Sequence, residues 1–378
     1  MPSYLSPGVY VEEVASGSAP ITGVGTSIAG FIGTIAADNA QANSGASAIS
    51  VPETAIKLIT NFTEFKKFFG DFSNNPGQNT LAHAVYGFFR NGGTRCYVTW
   101  ISGKEKIAGV LDSFEAIDEI TIVAAPGNLD VRGEIKDHCQ KMGDRIAILD
   151  SAETIDLSSA GVVEALKPFD SAYAALYFPW IQVYDPASNS NIYVPPSGHI
   201  AGIYARVDGQ RGVHKAPANE TIFGALDLKY SLSKAKQDGL NPSGINCIRK
   251  LNGNILVWGA RTLGGDANTE FKYINIRRHF CYLRDSIDKG TQWVVFEPNT
   301  PELWAKIRRN ISAFLTVEWR KGALFGTTPQ EAFYVKCDAE TNPPEIRDLG
   351  QVVTEIGVAV VKPAEFVVFR LSQWADSK

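Results

Sequence analysis

Three apolar, β-branched runs constrain this fold more than any other feature: TRCYVTWI from Thr94, ITIVAAPG at residues 120–127, and RIAILD at 145–150. The first follows TLAHAVYGFFR, a helical pattern closed by the Asn91-Gly92-Gly93 turn, and a second helical pattern over 130–142 separates the other two. Strands alternating with helices predict a mostly parallel α/β sheet. Upstream, NFTEFKKFFG reads as a helix capped by Asn61 or Thr63 and closed at Gly70. Residues 21–35 are a small, apolar run without a clear period, and 37–60 are polar and rich in Ala and Ser.

A second unit begins near Thr262. FKYINIRRHFCYLRDSI places Ile276, Phe280, Leu283 and Ile287 on one helical face, with Arg277, Arg278 and Arg284 largely off it. WVVFEP reads as a strand, and Thr300 caps a helix with Pro301 at its first position and an apolar stripe of Leu303, Ile307, Ile311 and Phe314. With the strand EAFYVKCD this predicts an α+β unit. Both ends of the chain are β-prone and isolated: VYVEEV after Pro7 and Gly8, and AEFVVFRLSQW after Pro363. Each can pair within its own chain, but isolation by Pro, Gly and loop sequence favours addition to another chain's sheet edge.

The 378 residues predict more than one packed unit. The 36 basic and 40 acidic side chains leave a net charge of −4, which argues against a nucleic-acid binder held by phosphate neutralisation. The cysteines Cys96, Cys139, Cys247, Cys281 and Cys337 show no zinc-ligand spacing, so buried thiols in a reducing cytoplasm are expected. No run approaches the ~20 apolar residues that span a bilayer, and the N-terminus has no signal-peptide pattern. Gly25 and Gly30 have Walker A spacing, but Phe31 and Ile32 stand where Lys and Ser or Thr are needed.

Residues 197–220, SGHIAGIYARVDGQRGVHKAPANE, gather two of the five histidines among charged residues and glycines. One reading is a subtilisin-type serine hydrolase. Ile148-Leu149-Asp150-Ser151 resembles that family's aspartate strand end, Gly198-His199-Ile200-Ala201-Gly202 its histidine motif, and Gly25-Thr26-Ser27-Ile28-Ala29 echoes its serine motif. The echo precedes Asp150, however, whereas subtilisin-type chains run Asp, His, Ser. No G-T-S-x-A follows His199. The other reading makes His199, Arg206, Asp208, Arg211 and His214 a structural cluster of hydrogen bonds and ion pairs. Lys306, Arg308, Arg309, Arg320 and Lys321 form either a solvated face or a surface for an anionic partner.

Taken together, SPGVYVEEV, FFRNGGTRCYV, IVAAPG, PPSGHIAGIYARVDGQRGVHKAPANE, LNPSGIN, VWGARTL, FKYINIRRH, VFEPN, GALFG, EAFYVKCD and PAEFVVFR resemble the contractile tail sheath proteins of phages and phage-tail-like injection systems. Residues 36–75 carry no matching motif. The resemblance implies a subtilisin-like α/β middle domain without a catalytic triad, an α+β C-terminal domain and extended strand arms at both ends. It divides the chain into an arm at 1–20, a packing segment at 21–95, the sheath domain at 96–262, a C-terminal domain at 263–362 facing the inner tube, and an arm at 363–378. It implies a structural protein without enzymatic activity or cofactor, with the hydrolase using Asp150 and His199 as the alternative.

The implied strand donors are Val9, Tyr10, Val11, Glu12, Glu13 and Val14, and Phe366, Val367, Val368, Phe369, Arg370 and Leu371. They would be received by an edge in the C-terminal unit of a neighbour, with hinges at residues 16–25 and near Pro363. Lys306, Arg308, Arg309, Arg320 and Lys321 would face an acidic inner tube. The implied partners are further copies in a helical assembly of stacked hexameric rings, the inner tube, and baseplate and terminal cap proteins. Neither nucleic acid nor direct membrane insertion is implied. Assembly would take place in the bacterial cytoplasm, into a phage tail or an injection particle.

Overall fold

The run AGFIGT, Ala29–Thr34 (β1), forms a strand despite its two glycines because helices approach it closely on both faces. A Cβ at Gly30 would overlap the Phe114 ring and one at Gly33 the Leu81 side chain, so glycine admits both helices. The computed structural model describes residues 20–36, 48–159 and 161–370.

Short helical turns aside, the chain continues through Lys57–Ile59 (β2), Phe62–Phe69 (α1), Pro76–Arg90 (α2), Cys96–Ile101 (β3), Ile107–Glu115 (α3), Ile122–Ala124 (β4), Arg132–Met142 (α4), Ile146–Asp150 (β5) and Ala174–Phe178 (β6). Ile181–Asp185 (β7), Ser190–Val194 (β8), Ser197–Arg211 (α5), Glu220–Thr221 (β9), Asp227–Leu228 (β10), Lys234–Leu240 (α6), Ile245–Leu251 (β11) and Asn254–Val257 (β12) follow. Ile274–Thr291 (α7), Pro301–Arg320 (α8), Phe333–Lys336 (β13) and Glu355–Val358 (β14) complete it.

Strands β3, β1, β4, β5, β6 and β11 lie side by side and parallel, with β2 antiparallel at one edge and β12 and β9 antiparallel at the other. The period-two alternation sends Phe31, Val98 and Ile148 into one apolar layer with α1, α2 and α5. Ile32, Val123 and Leu149 face the opposite layer, with α3 and α4.

Helix α1 begins at Asn61, whose side chain accepts from the Glu64 amide, and ends at Gly70 with φ +78°, as its sequence predicts. Asn75 caps α2 by accepting from Gly77 and Gln78 at 3.1 and 3.3 Å. Helices α2 and α5 meet almost backbone to backbone. A Cβ at Gly198 would overlap Ala84 main chain, one at Gly202 that of Phe88, and one at Gly87 the His199 ring.

By its internal contacts the chain divides into Gly23–Asp285 with Val360–Lys378, the larger unit, and Met1–Thr22 with Ser286–Ala359, the smaller one. The division by contacts falls within α7, because Ile274, Asn275 and Arg278 are buried in the larger unit. In the smaller unit α8 starts at Thr300 with Pro301 first, and Leu303, Ile307, Ile311 and Phe314 are buried, as expected. Strands β13 and β14 form an antiparallel hairpin, Phe333 opposite Val358 through Lys336 opposite Glu355.

One expected strand is not formed. WVVFEP instead makes a 3-10 turn, Gln292–Val294, and a bend in which Phe296 has φ +69° and is fully exposed. Asn299, which donates to the Gln351 carbonyl at 2.8 Å and accepts from the Trp304 indole, fixes the end of this connection. Residues 361–370 take no regular secondary structure, so Phe366, Val367, Val368, Phe369 and Arg370 are not a strand within the chain. The expected donors Val9, Tyr10, Val11, Glu12, Glu13 and Val14, and Leu371, lie outside the described residues.

The close approach of α5 to α2 predicts position-dependent costs along one helix. Gly202→Ala should destabilise by about 1–3 kcal/mol in urea unfolding, because the methyl group meets backbone that cannot rotate away. Gly209→Ala, with open space at its Cβ, should be neutral or stabilising by up to about 1 kcal/mol.

Candidate assembly site

Asp150, at the end of β5, works as a cap for α5. Its buried carboxylate accepts from the Ser197 amide at 2.9 Å, the Ser197 hydroxyl at 2.6 Å and the Gly127 amide at 3.1 Å. Burial pushes the carboxyl up to about 6, against the pull of those bonds and of Arg132. His199 is not among its partners. The His199 ring packs on Gly87 of α2, and burial, with His83 and Arg90 nearby, draws its pKa down to about 3.

Register separates the supposed nucleophile from both. Ala29 of β1 stands opposite Ile122 of β4, and Ile122 opposite Ile146 of β5, all parallel. Ser27 therefore lies level with residue 144, about six residues or roughly 20 Å along the strands from Asp150. A triad needs hydrogen-bond contact between its members, so the hydrolase alternative is overturned.

The five polar residues expected as one cluster divide by their direction around α5. Arg206 donates to the Thr221 carbonyl at 2.8 Å and the Asn91 carbonyl at 3.2 Å, meets Glu220 at 3.5 Å, and lies 4.5 Å from the Phe223 ring centre. Asp208 turns the other way. Arg278 grips it through bonds of 2.9 and 2.6 Å, and Thr26 donates to it at 2.6 Å. Arg211 is exposed and makes no ion pair among the described residues. The His214 carbonyl accepts from Asn275 at 2.8 Å.

Arg278 is the buried, paired residue that the helical-face argument misses. Its sequence position and that of Arg277 fall off the apolar face of α7, yet their exposures are 4% and 8%. Arg277 is covered by Phe271 and Tyr173, whose ring centres lie 3.4 and 4.2 Å from its guanidinium, and Arg278 lies 4.6 Å from that of Tyr204. A run of Asn, Arg, Arg and His between Ile274 and Phe280 is the available signal, since a helix polar on every side must be paired if it is enclosed.

On α8, Lys306, Arg309 and Arg320 are exposed at helical spacing along one side, together with Ala313 and Val317. Arg308 is instead turned to the Cys337 carbonyl, and Lys321 pairs with Glu318 at 2.8 Å. No group of His, Cys, Asp or Glu among the described residues is arranged to hold a metal ion. An open crevice beyond the ends of β1, β3 and β4, the usual ligand position in a parallel sheet, has several of its polar groups engaged within the chain. Asn128 donates to Thr34 at 2.7 Å, the Ser102 amide to Glu53 at 2.7 Å, and Lys104 pairs with Glu134 at 3.1 Å.

Residues 102–263 match the phage tail sheath protein central domain, and residues 266–373 the phage tail sheath C-terminal domain. The chain belongs to the contractile tail sheath family. It is similar to the PVC sheath of an extracellular contractile injection system in its contracted state, at 29% identity, 99% coverage of each chain and a TM-score of 0.81. The contracted helical sheath of the anti-feeding prophage is 30% identical, with 97% of this chain and 99% of that one covered and a TM-score of 0.78.

A major tail sheath protein assigned to a prophage of Pseudomonas aeruginosa (strain UCBPP-PA14) is 29% identical over 238 residues, 61% of this chain and 58% of that protein. The chain thus spans little more than half of that relative, and 29% of the tail sheath protein of Vibrio phage KVP40. These sheath relatives are structural proteins, not enzymes. The mixed α/β fold with its parallel-rich sheet is the sheath fold.

The buried histidines of the sheath chain give it a pH dependence of defined sign. His199 sits at about 3, and burial with the neighbouring Arg145 puts His138 at about 4. A histidine with a lower pKa folded than unfolded contributes stability that is intact above about pH 6.5 and lost as pH falls. Asp150, raised to about 6, acts oppositely, costing stability as pH rises from about 4 to 6. His199→Gln should reduce the acid-side loss by up to about 1.4 kcal/mol per pH unit in urea melts, the effect of one proton.

Proposed function

We propose that this sheath protein polymerises helically around an inner tube and contracts to drive the tube through a target envelope, its subunits joined by strands donated from their terminal arms. One observation carries the proposal: the chain leaves β-prone sequence unpaired at its end and an open hairpin in its smaller unit. Phe366, Val367, Val368 and Phe369 are 69–84% exposed and make no backbone hydrogen bond among the described residues. Four large apolar side chains in a row are stable in that state only if another surface covers them.

The hairpin supplies a fitting acceptor. The Ala359 amide donates to the Ala332 carbonyl at 2.8 Å, which fixes the alternation of the ladder. Val335 on β13, and Ile356 and Val358 on β14, then turn their amides and carbonyls outward, as does the Phe333 carbonyl, while the Phe333 amide is taken by the Pro329 carbonyl. A two-stranded hairpin is marginal alone. Strands added from other copies complete it through backbone bonds that are indifferent to most side chains.

Lys306, Arg309 and Arg320 are the inner-tube contacts we favour. Exposed charge pairs are worth about 0–1 kcal/mol each, which suits an attachment that must release. Arg308 and Lys321, already engaged within the chain, contribute less. We take the parallel-sheet unit as a subtilisin-like scaffold without a nucleophile. The particle would be a phage tail or an injection system assembled in the bacterial cytoplasm, with hexameric rings stacked between baseplate and cap.

Deleting residues 366–378 should leave a folded chain by circular dichroism that forms no sheaths in electron micrographs; polymerisation like that of the intact protein would sink strand donation. Lys306→Glu, Arg309→Glu and Arg320→Glu together should spare assembly of the sheath alone but weaken its co-assembly with an acidic tube. Tube binding as strong as that of the intact protein, with the same salt dependence, would move the contact elsewhere.

A further inference from the structure

The chain enters the larger unit at Gly23 and re-enters it at Val360, and near each place an arginine and a carboxylate hold it. At the first, Arg278 donates to the Thr26 carbonyl at 2.8 Å while gripping Asp208, which also accepts from the Thr26 hydroxyl. At the second, Glu365 accepts four bonds: Arg261 Nε at 2.8 Å, Arg261 Nη2 at 2.9 Å, Asn241 Nδ2 at 2.8 Å and the Tyr273 hydroxyl at 2.9 Å. The Arg261 side chain is only 3% exposed and is itself fixed by the Asn241 carbonyl at 3.0 Å and Asp266 at 3.1 Å. Asn275 adds a bond to the Val361 carbonyl at 3.3 Å.

Half-buried Val361, Pro363 and Glu365 alternate with exposed Lys362 and Ala364, and from Phe366 to Arg370 every residue is exposed. The Glu365 side chain is 20% exposed, and Phe366 is 71% exposed. The continuously exposed segment therefore starts at residue 366, beyond the bonds to Val361 and Glu365.

We infer that Arg261–Glu365 and Arg278–Asp208 are anchors that position the two terminal arms and pass tension from the donated strands into the larger unit. The inference rests on strand donation as proposed above. A strand ladder pulled along its length shares force among its bonds, so the root of the arm becomes the weakest point. An apolar root would peel residue by residue. A carboxylate held by four donors in fixed directions yields only when all of them break, and its departure leaves the buried Arg261 guanidinium with Asp266 as its remaining carboxylate.

Three changes in the full-length protein test this. Glu365→Gln keeps the shape of the side chain but removes its charge. Asp208→Leu with Arg278→Met replaces a buried pair by apolar groups, a change that folded proteins tolerate. Thr26→Val removes one hydroxyl and serves if the double variant does not fold. Amide exchange should speed up about tenfold, the loss of one charge-assisted bond, at residues 361–366 for Glu365→Gln and at 22–28 for the others. Sheaths of the Glu365→Gln and double variants should break to shorter lengths under shear.

Exchange and shear resistance like those of the intact protein would overturn the anchors. The deletion of residues 366–378 separates the two ideas. If it blocks assembly while the anchor variants behave like the intact protein, only the anchors fail; if it assembles normally, strand donation fails and the anchors lose their purpose with it.

Discussion

The buried pair of Asp208 and Arg278 is the interaction around which the larger unit is arranged. It joins α5 to α7 and, through Thr26, fixes the chain three residues before β1 begins. Removing one partner of such a pair leaves a charge in the interior and costs about 3–5 kcal/mol, whereas the intact pair adds little net stability. Its effect is therefore one of placement. Only one position of α7 against α5 satisfies both charges and Thr26, and that position sets where an inner strand of the sheet starts.

What the sequence makes legible is what local chemistry decides. Strands β3, β4 and β5, the cap at Asn61, the stop at Gly70 and the Thr300-Pro301 start of α8 each depend on residues within a turn or two of themselves. What it hides depends on partners far along the chain. Gly30 and Gly33 look like loop residues until Phe114 and Leu81 are seen above them. Arg278 looks solvated until Asp208, 70 positions away, is beside it. WVVFEP is apolar and β-prone like a strand, but side-chain preference says nothing of whether a neighbour exists to pair the backbone.

The hydrolase echo fails for a related reason. A parallel sheet places a strand-end carboxylate close to a helix N-terminus whatever the protein does. In a hydrolase that carboxylate orients a histidine; here its oxygens are taken by Ser197 and Gly127, and His199 faces α2. The motif is legible as a position in a scaffold. Its chemistry is settled by the second and third partners, which single motifs do not encode.

Buried charge and exposed backbone serve opposite ends of the proposed task. Directional pairs among enclosed side chains hold one geometry and resist every other, which suits the interior of a subunit that moves as a body. A backbone ladder keeps its bonds while the side chains around it change neighbours, which suits a joint that must survive the rearrangement of a lattice. With Glu365 held by four donors and Phe366 exposed, the two regimes meet within a single peptide unit. Compliance is then confined to the few residues between anchor and ladder, so a rotation of the subunit is taken up there and not by the sheet on either side.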